Sequence, residues 1–549
     1  MKKISVILMA VALVLGMTQC KKKAETLSQQ QGQLITVRVA NDSKHHVITS
    51  GDPWPTGDLG KVEWEEEDVL FVLSAGLPVG ILEYDEDEQA FMGIVGPGNA
   101  TGMPFVPEEG EPLYFCFTGN VIPNGDDLTI DISDQGDNLP VLSFGASEET
   151  YPSATDDYTC LLENKCALVK FTLSTGTEDD IRISNMITKA ELVIGEGNGD
   201  IKPTTTRGSM LLHRVPGGPA NERWAILLPQ DAVQGVSILA RNTAYQGVAD
   251  IPAVGVNNLL DVTLDLAGAT VVSVQPYFSV GGGRIVNFAP GNLQYKAAGT
   301  GAGFRFAEHQ WDYVGGKKSN DTINKWGNVY EGGVKCDNDS ISPTYTGWID
   351  LFGWGTGDNP TKTVMDPTQY YDFHDWGNYV NVDDNTWFTL SKSEYEYLIN
   401  NKEYHAIRSL KIAPATVHNV GGCVILPDFF DLTTYSFNTL SNDQDMLNNM
   451  DSCVMNIYTD TEWALMEGAG AVFLPATGMR DGNYGYFNED KNDGTNPGVE
   501  VWKTYWSRDD KGKYSSNAGM ALYARNAMWV NDFMRYDGIA VRLVHDVEF

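Results

Sequence analysis

The stretch Cys166–Ser174, CALVKFTLS, decides the fold of the first half of this chain, because its apolar and polar residues alternate with period two. Such alternation is typical of a β-strand with one buried face. Similar short runs, bounded by Gly, Pro, Asp and Asn, recur at residues 34–40, 68–74, 112–119, 128–133, 223–229, 236–241 and 259–266. Many short strands separated by turn residues predict β-sandwiches.

The alternating region is long enough for two such sandwiches, since one needs about 100 residues. We predict β-sandwiches over residues 34–160 and 161–274, with the boundary in the Asp- and Thr-rich stretch before Cys160. The fold class predicted for the whole chain is mainly β, followed by α+β.

Composition changes in the second half, where ten of the thirteen tryptophans lie after residue 300 among Gly- and Asn-rich loops. Ser391 with Glu394, and Thr459 with Glu462, have the spacing of a helix capping box and predict two helices. Closing strands are predicted at residues 471–478, 504–510 and 539–547. We therefore expect a loop-rich α+β module over residues 275–549.

The N-terminus has the order of an export signal. Lys2 and Lys3 precede an apolar run, Ile4–Gly16, that is too short for a transmembrane helix, and Cys20 follows. This order resembles the bacterial lipoprotein signal, which implies cleavage after residue 19, a lipid on Cys20 and attachment to the outer membrane. Residues 20–33 are polar and predict a tether. The alternative is an ordinary secretory signal with an incidental cysteine.

Charge excludes one class of partner. The formal net charge is −35, and it becomes −37 without residues 1–19, which contain two lysines and no acidic residue. A surface this acidic repels phosphate backbones, so we expect no nucleic acid partner.

Six cysteines remain besides Cys20, and none forms a CxxC pair. A zinc knuckle or a thioredoxin-like centre is therefore not indicated. Cys160 and Cys166 are close enough in sequence to bridge across a turn in an exported protein. The alternative is that they are ordinary buried thiols in apolar strands.

Six phrases in the second half occur in an order that resembles surface-protein modules related to the formylglycine-generating-enzyme and C-type-lectin-like folds. They lie at residues 283–295, 348–357, 386–398, 468–482, 505–509 and 536–547. The first half resembles fimbrillin-type lipoproteins, through the N-terminus, DVLFVLS (68–74) and CALVKFTLSTG (166–176). Together these resemblances imply a fimbrial tip or accessory subunit with a terminal binding module.

No catalytic motif accompanies the resemblance. Formylglycine-generating enzymes use cysteines in a copper site, and neither Cys423 (GGCVILP) nor Cys453 (DSCVMN) matches such a motif. GxSxG and HExxH are absent from the sequence. The glycine runs at 281–283 and 299–303 precede no helical pattern, so they predict loops and not phosphate sites. We predict a protein that is not an enzyme and needs no cofactor.

Two patterns bear on calcium. Carbohydrate-binding C-type lectins carry a Trp-Asn-Asp phrase, and this chain has Trp529, Asn531 and Asp532 with one residue inserted. The run NEDKNDG (488–494) offers Glu489, Asp490 and Asp493 as oxygen ligands, although Lys491 occupies a ligand position of the EF-hand pattern. The alternative is a solvated acidic loop. We therefore expect bound Ca²⁺ only if these oxygen atoms form a complete site, which neither pattern establishes.

Three further tryptophans, Trp354, Trp376 and Trp502, have Asn, Asp or Gly neighbours. A flat ring beside fixed polar groups suits a sugar, so these are candidate ligand residues. The alternative is that each ring packs in the core.

Partners follow from these predictions. We expect fimbrial subunits joined by β-strand addition, a host or environmental glycan or protein, and the outer membrane through the lipid. The leading hypothesis is a fimbrial tip or accessory adhesin. The alternative is a stand-alone outer-membrane lipoprotein that captures a nutrient glycan outside any fimbria.

Cys20 is expected to carry the lipid. Growth with a fatty-acid analogue should label the wild-type chain and leave Cys20→Ser unlabelled, because only the thiol accepts the diacylglycerol. Cys116→Ser serves as the matched control and should label like wild type. Equal labelling of Cys20→Ser would contradict the prediction.

Overall fold

The structure is a computed structural model, and it is mostly β. It describes residues 33–40, 64, 68–75, 77–97, 105–118, 129–136, 139–177, 179–195, 198–214, 217–313, 345–362, 372–400, 412–438, 453, 455–481, 484–486, 503–510, 518–524 and 528–549. Two compact units form. The first runs to Val274 and includes Gly282–Arg284 and Phe549, and the second comprises Gln275–Gly281 and Ile285–Glu548. Within the described residues, no helix has both the length and the apolar character needed to cross a membrane.

Strands of the first unit are β1 Gln33–Val39, β2 Val69–Ser74, β3 Leu77–Asp85, β4 Ala90–Val95, β5 Pro112–Phe117, β6 Thr129–Asp131, β7 Ser143–Thr150, β8 Asp157–Cys160, β9 Glu163–Asn164, β10 Ala167–Leu173, β11 Ile181–Ile187, β12 Lys189–Gly195, β13 Asn198–Pro203, β14 Arg207–Leu211, β15 Glu222–Leu227, β16 Val233–Ala240, β17 Thr243–Ile251, β18 Leu259–Leu264 and β19 Thr270–Ser273. Each of the eight alternating runs singled out in the sequence forms a strand.

Four sheets arise from these strands. Their orders are β5-β2-β3-β4-β1-β8-β7-β9, with an additional β5–β7 pairing, then β15-β10-β18, β14-β11-β16-β17-β19 and β13-β12-β6. Strand β6, from the first predicted sandwich, pairs antiparallel with β12 of the second. Hydrogen bonding therefore crosses the predicted boundary at residue 160, and the boundary itself stays a prediction.

The stretch that opened the sequence analysis is the central strand β10. It pairs antiparallel with β15 and parallel with β18, and Val169, Phe171 and Leu173 lie in one hydrophobic cluster at 1% exposure or less. Lys170 lies between them, and its Nζ is 2.6 Å from Asp261 Oδ2 on β18. The period-two pattern therefore places apolar residues in the core and the cation at a cross-strand carboxylate.

Strands of the second unit are β20 Phe278–Gly281, β21 Arg284–Phe288, β22 Leu293–Lys296, β23 Gly303–Phe306, β24 Trp348–Ile349, β25 Ile412–Val417, β26 Val420–Ile425, β27 Asn456–Tyr458, β28 Val472–Pro475, β29 Met479–Asp481, β30 Tyr484–Tyr486, β31 Lys503–Asp510, β32 Ala518–Ala524, β33 Met528–Met534 and β34 Val544–Asp546. Helices are α1 Lys392–Asn400 and α2 Asp460–Gly468, with a 3-10 helix at Trp376–Tyr379. The sheets are β20-β21-β34, β23-β22-β24, β27-β25-β26-β28, β29-β30 and β31-β32-β33.

Both predicted capping boxes are present. The Ser391 hydroxyl accepts from the Glu394 N–H at 3.1 Å, and the Glu394 carboxylate accepts from the Ser391 N–H at 2.7 Å. Thr459 and Glu462 make the same reciprocal pair at the start of α2. Each box satisfies N–H groups that the first helical turn leaves without intrahelical partners.

The segment Gly538–Asp546, called the closing segment below, connects the second unit internally. Its backbone bonds to distant parts of the chain, with partners at Ala289, Leu293, Phe352, Phe388, Arg480 and Trp506. Its side chains enter two clusters. Ile539, Val541 and Leu543 belong to one, and Ala540 and Val544 belong to the other. The predicted final strand is therefore buried on both sides, and only its end, Val544–Asp546, forms regular β34.

The three cysteines that the structure describes in the first unit are free thiols. Cys116, Cys160 and Cys166 are all buried, and Cys166 donates to Asn164 Oδ1 at 2.9 Å. Burial raises the pKa of Cys160 and of Cys166 to about 12. The bridge considered between these two residues is not formed, and they belong to different hydrophobic clusters.

Truncation at the closing segment should unfold the second unit. Deleting residues 539–549 removes Ile539, Val541, Leu543 and Val544, which are all fully buried. At about 1.5–3 kcal/mol each, their burial is comparable with the whole stability of a domain. Urea unfolding followed by tryptophan fluorescence should show this loss.

Two variants refine that test. Leu543→Ala should lower the free energy of unfolding by about 2–5 kcal/mol, the usual cost of a core cavity. Deleting only Glu548 and Phe549 should change it little, because both lie outside the clusters. Normal stability of the 539–549 deletion would contradict a core role for the segment.

Thiol protection provides a second test. At a pKa of about 12, Cys160 and Cys166 are thiolate in only about one molecule in ten thousand at pH 8, so iodoacetamide should leave the native chain unmodified at both. In denaturant without reductant, both should be alkylated as fully as Cys116. A reductant requirement confined to Cys160 and Cys166 would reveal a disulfide instead.

The raised pKa values of Cys160 and Cys166 also determine how the free energy of unfolding changes with pH. The native state holds these thiol protons more tightly than the unfolded state, so their contribution to stability is complete below the ordinary thiol pKa of 9.0 and is lost as the pH rises above it.

Candidate functional site

Trp354 and Trp376, predicted as ligand residues, are core residues. Their side chains are 2% and 0% exposed, and they lie in the same cluster as Trp506. Trp354 Nε1 donates to the Ser507 carbonyl oxygen at 3.0 Å, and the Arg535 guanidinium carbon lies 4.4 Å from the Trp354 ring centroid. Neither ring presents a face to a ligand, so the predicted contact is wrong for these two residues.

The polar neighbours of Trp376 have a local structural role. Asp375 caps the 3-10 helix by accepting from the Gly377 N–H at 3.0 Å. Its other carboxylate oxygen accepts from the Thr389 N–H at 2.9 Å. The Asp and Gly that suggested a sugar site beside Trp376 therefore hold two loop segments together.

Trp529, Asn531 and Asp532 lie on β33. The backbone register opposes Trp529 to Tyr523, Asn531 to Ala521 and Asp532 to Met520 on β32. Trp529 and Asn531 are two residues apart in an extended strand and Asp532 follows directly, so the backbone assigns the first two to one face and Asp532 to the other. Ligand binding by these residues stays a prediction.

The remaining predicted residues lie outside the described residues. They are Cys20, Trp502, Glu489, Asp490 and Asp493. Within the described part of the chain, no three His, Cys, Asp or Glu side chains come close enough together to hold a metal ion.

A surface cluster that the sequence did not reveal consists of His309, Trp311, His418 and Asp460. The Trp311 ring stacks with His309 at a centroid distance of 4.7 Å and with His418 at 5.0 Å. His418 Nδ1 lies 2.9 Å from Asp460 Oδ1, at the first residue of α2. His309 and His418 are more than a hundred residues apart in sequence, which is why local motifs could not identify the cluster.

The turn between β25 and β26 places His418. His418 and Asn419 have φ values of +48° and +61°, the left-handed pair of a tight two-residue hairpin. The ring is therefore fixed at the tip of a hairpin, and His418 is about half exposed. Trp311 also packs against the hydrophobic cluster that contains Trp463 and Phe473. The cluster thus combines an anchored indole with accessible imidazoles.

The interior of this unit contains a buried cation. Arg542 is fully buried, and it donates from Nη1 to Asn292 Oδ1 at 3.1 Å and from Nη2 to Gln310 Oε1 at 2.8 Å. Burial lowers the pKa of Arg542 to about 10. Neutral amide oxygens accept from both Nη groups, so the arginine connects the closing segment to two distant parts of the chain and, being fully buried, has no surface available for a ligand.

No family model matches this chain, and no curated protein matches it. Part of the chain is similar to a solved "putative cell adhesion protein" from Bacteroides uniformis, at 15% identity over 44% of this chain and 96% of the other, with a TM-score of 0.25. A similar protein from Bacteroides fragilis has 13% identity over 44% of this chain and 96% of the other, with a TM-score of 0.26. The tip fimbrial protein Mfa3 from Porphyromonas gingivalis has 12% identity over 46% of this chain and 85% of the other, with a TM-score of 0.19. With TM-scores this far below 0.5, none of these similarities carries an argument about this chain.

Proposed function

We propose that this chain is a cell-surface lipoprotein of the fimbrial tip or accessory adhesin type, held at the outer membrane through Cys20, whose C-terminal unit binds a glycan or protein ligand. The observation that carries the proposal is the burial of the closing segment, with Ile539, Val541, Leu543 and Val544 all at 0% exposure. Its role is binding and not catalysis.

Burial of this segment bears on assembly. A subunit that polymerises by β-strand addition must release an extended strand to complete the sheet of a neighbour. Releasing the closing segment would expose apolar side chains and break its backbone bonds to Phe352 and Phe388 together. The segment therefore suits a subunit that ends an assembly.

The first unit supports the complementary role of accepting a strand. Strand β19 is an edge of its five-stranded sheet, and all four of its residues are exposed, with Val271 at 60%. An exposed sheet edge is a template for another strand. The first unit can then join a neighbour while the second remains free for a ligand.

The C-terminal unit has the features of a binding module. Its core holds the backbone in place, and the cluster of His309, Trp311 and His418 presents aromatic rings at its surface. Aromatic rings beside polar groups are what glycan and protein ligands contact.

Isolated surface appendages provide the test. The full chain should co-purify with them, and immunogold labelling should place it at their ends. Homopolymers joined through residues 539–547 would overturn the terminal position. Retention in the outer membrane without any appendage would favour the nutrient-capturing lipoprotein.

Strand β33 provides a prediction about the ligand. Trp529→Ala and Asp532→Ala should each weaken binding on a glycan array or mucin overlay at least tenfold, with little change in Tm. Met534→Ala is the matched control, because Met534 lies on the same strand, is 40% exposed and is not a predicted ligand residue. Equal loss of binding for Met534→Ala would indicate a general disturbance of the strand.

A further inference from the structure

The three-stranded sheet β23-β22-β24 has two chemically different faces. In the register, Tyr295 on β22 opposes Phe304 on β23 and Ile349 on β24, and these three residues pack with the hydrophobic cluster around Trp506. This face of the sheet is closed by the core.

The opposite face carries different residues. Gln294 opposes Arg305, while Lys296 opposes both Gly303 and Trp348. Because alternate residues of a strand share a face, Lys296, Gly303, Arg305 and Trp348 lie together on the outer side. We call these four residues the cationic face.

Contacts within the cationic face fix its geometry. The Arg305 guanidinium carbon lies 3.6 Å from the centroid of the Trp348 ring, and the Arg305 Nε donates to Gln294 Oε1 at 2.9 Å. Stacking on Trp348 and the hydrogen bond from Nε thus hold the guanidinium in place. Neither contact uses its two Nη groups, which can still donate to a ligand. Lys296 Nζ lies 5.9 Å from the same ring and donates to the Thr300 carbonyl oxygen at 3.1 Å.

Gly303, opposite Lys296 in the register, has open space beside it. A Cβ at this position would meet no atom within 4 Å, so there is room beside the backbone here. Its φ of +117° disfavours any other residue. The glycine run that the sequence analysis assigned to a loop is the β22–β23 hairpin, and open space lies beside the backbone of Gly303.

The charge of this face contrasts with that of the chain. The protein has 73 acidic residues against 38 basic ones, so a lysine or arginine at its surface readily finds a carboxylate. Lys165, Lys170, Lys189 and Arg241 each pair with at least one. Among the described residues, neither Lys296 nor Arg305 has a carboxylate within 4 Å. Two cations beside one indole thus remain available to an external anion.

We propose that the cationic face binds a carboxylated sugar, such as a sialic or uronic acid residue of a glycan. The sugar carboxylate accepts hydrogen bonds from the free Nη groups of Arg305, whose planar fork matches a carboxylate, and Lys296 adds a second positive charge. The sugar ring lies over Gly303 beside the Trp348 indole. This inference rests on the proposed function, because it names the ligand class of the same C-terminal unit.

The competing explanation is purely structural, in which Arg305 only covers Trp348 and stabilises the sheet. Cation–π stacking would account for that. It does not account for the lack, among the described residues, of a carboxylate beside Arg305, or for the open space beside Gly303. Measurements of both affinity and Tm distinguish the two explanations.

The test uses the full chain and titration calorimetry with 3′-sialyllactose and trigalacturonic acid, each compared with lactose. At least one acidic sugar should bind tenfold or more tightly than lactose, and its affinity should fall between 50 and 500 mM NaCl. Arg305→Gln and Lys296→Gln should each weaken it at least tenfold. Arg305→Lys should fall between wild type and Arg305→Gln, because it keeps the charge and loses the fork.

Lys392→Gln is the matched control, because it removes a cation of the same unit that is already paired with Glu396. It should change the affinity less than twofold, and all variants should keep a Tm within a few degrees of wild type. Absence of binding to both acidic sugars, equal binding of lactose, or unchanged affinity in both glutamine variants would overturn the proposal.

Failure here is separable from failure of the proposed function. Attachment to a neutral glycan or a protein that is lost on Trp529→Ala and kept on Arg305→Gln would leave the adhesin intact and reject the acidic ligand.

Discussion

The second unit depends on one segment that is buried on both sides. Ile539, Val541 and Leu543 enter one hydrophobic cluster while Ala540 and Val544 enter another, so the closing segment separates and joins two cores. Its backbone bonds to strands and loops far apart in sequence. The described strands of this unit form five separate sheets of two to four strands each, so a segment that bonds to several of them supplies connections that the sheets alone do not.

Arg542 shows the cost of this arrangement. A guanidinium in the middle of the closing segment must lose its water, and burial lowers its pKa to about 10. Asn292 and Gln310 compensate with amide oxygens, and Gln310 Oε1 also accepts from the Phe473 N–H at 2.7 Å. The polar network fixes the register between the closing segment and its neighbours, because a shift by one residue would leave a buried cation without acceptors.

Part of this structure could be predicted because the residues that determine it lie close together in the sequence. Alternation of apolar and polar residues identified the strand that contains Val169 and Phe171. The capping box of Thr459 and Glu462 could be recognised in the sequence because its two residues are only three positions apart. The prediction that Trp354 and Trp376 contact a ligand was wrong. Asp and Gly residues beside a Trp give the same local sequence whether they contact a sugar or cap a short helix. The cationic face was not predictable, since Trp348 reaches Lys296 only through the pairing of β24 with β22.

The two faces of the β22–β24 sheet illustrate how this unit separates stability from recognition. Tyr295, Phe304 and Ile349 are constrained by the core beneath them, so their replacement would disturb the fold. Among the described residues, Arg305 contacts the rest of the unit through the Trp348 ring and Gln294, and Lys296 through the Thr300 carbonyl oxygen, so neither side chain is part of the core. Outer-face residues of a sheet secured by a closed core can therefore change with little loss of stability, which allows the ligand to change while the fold is retained.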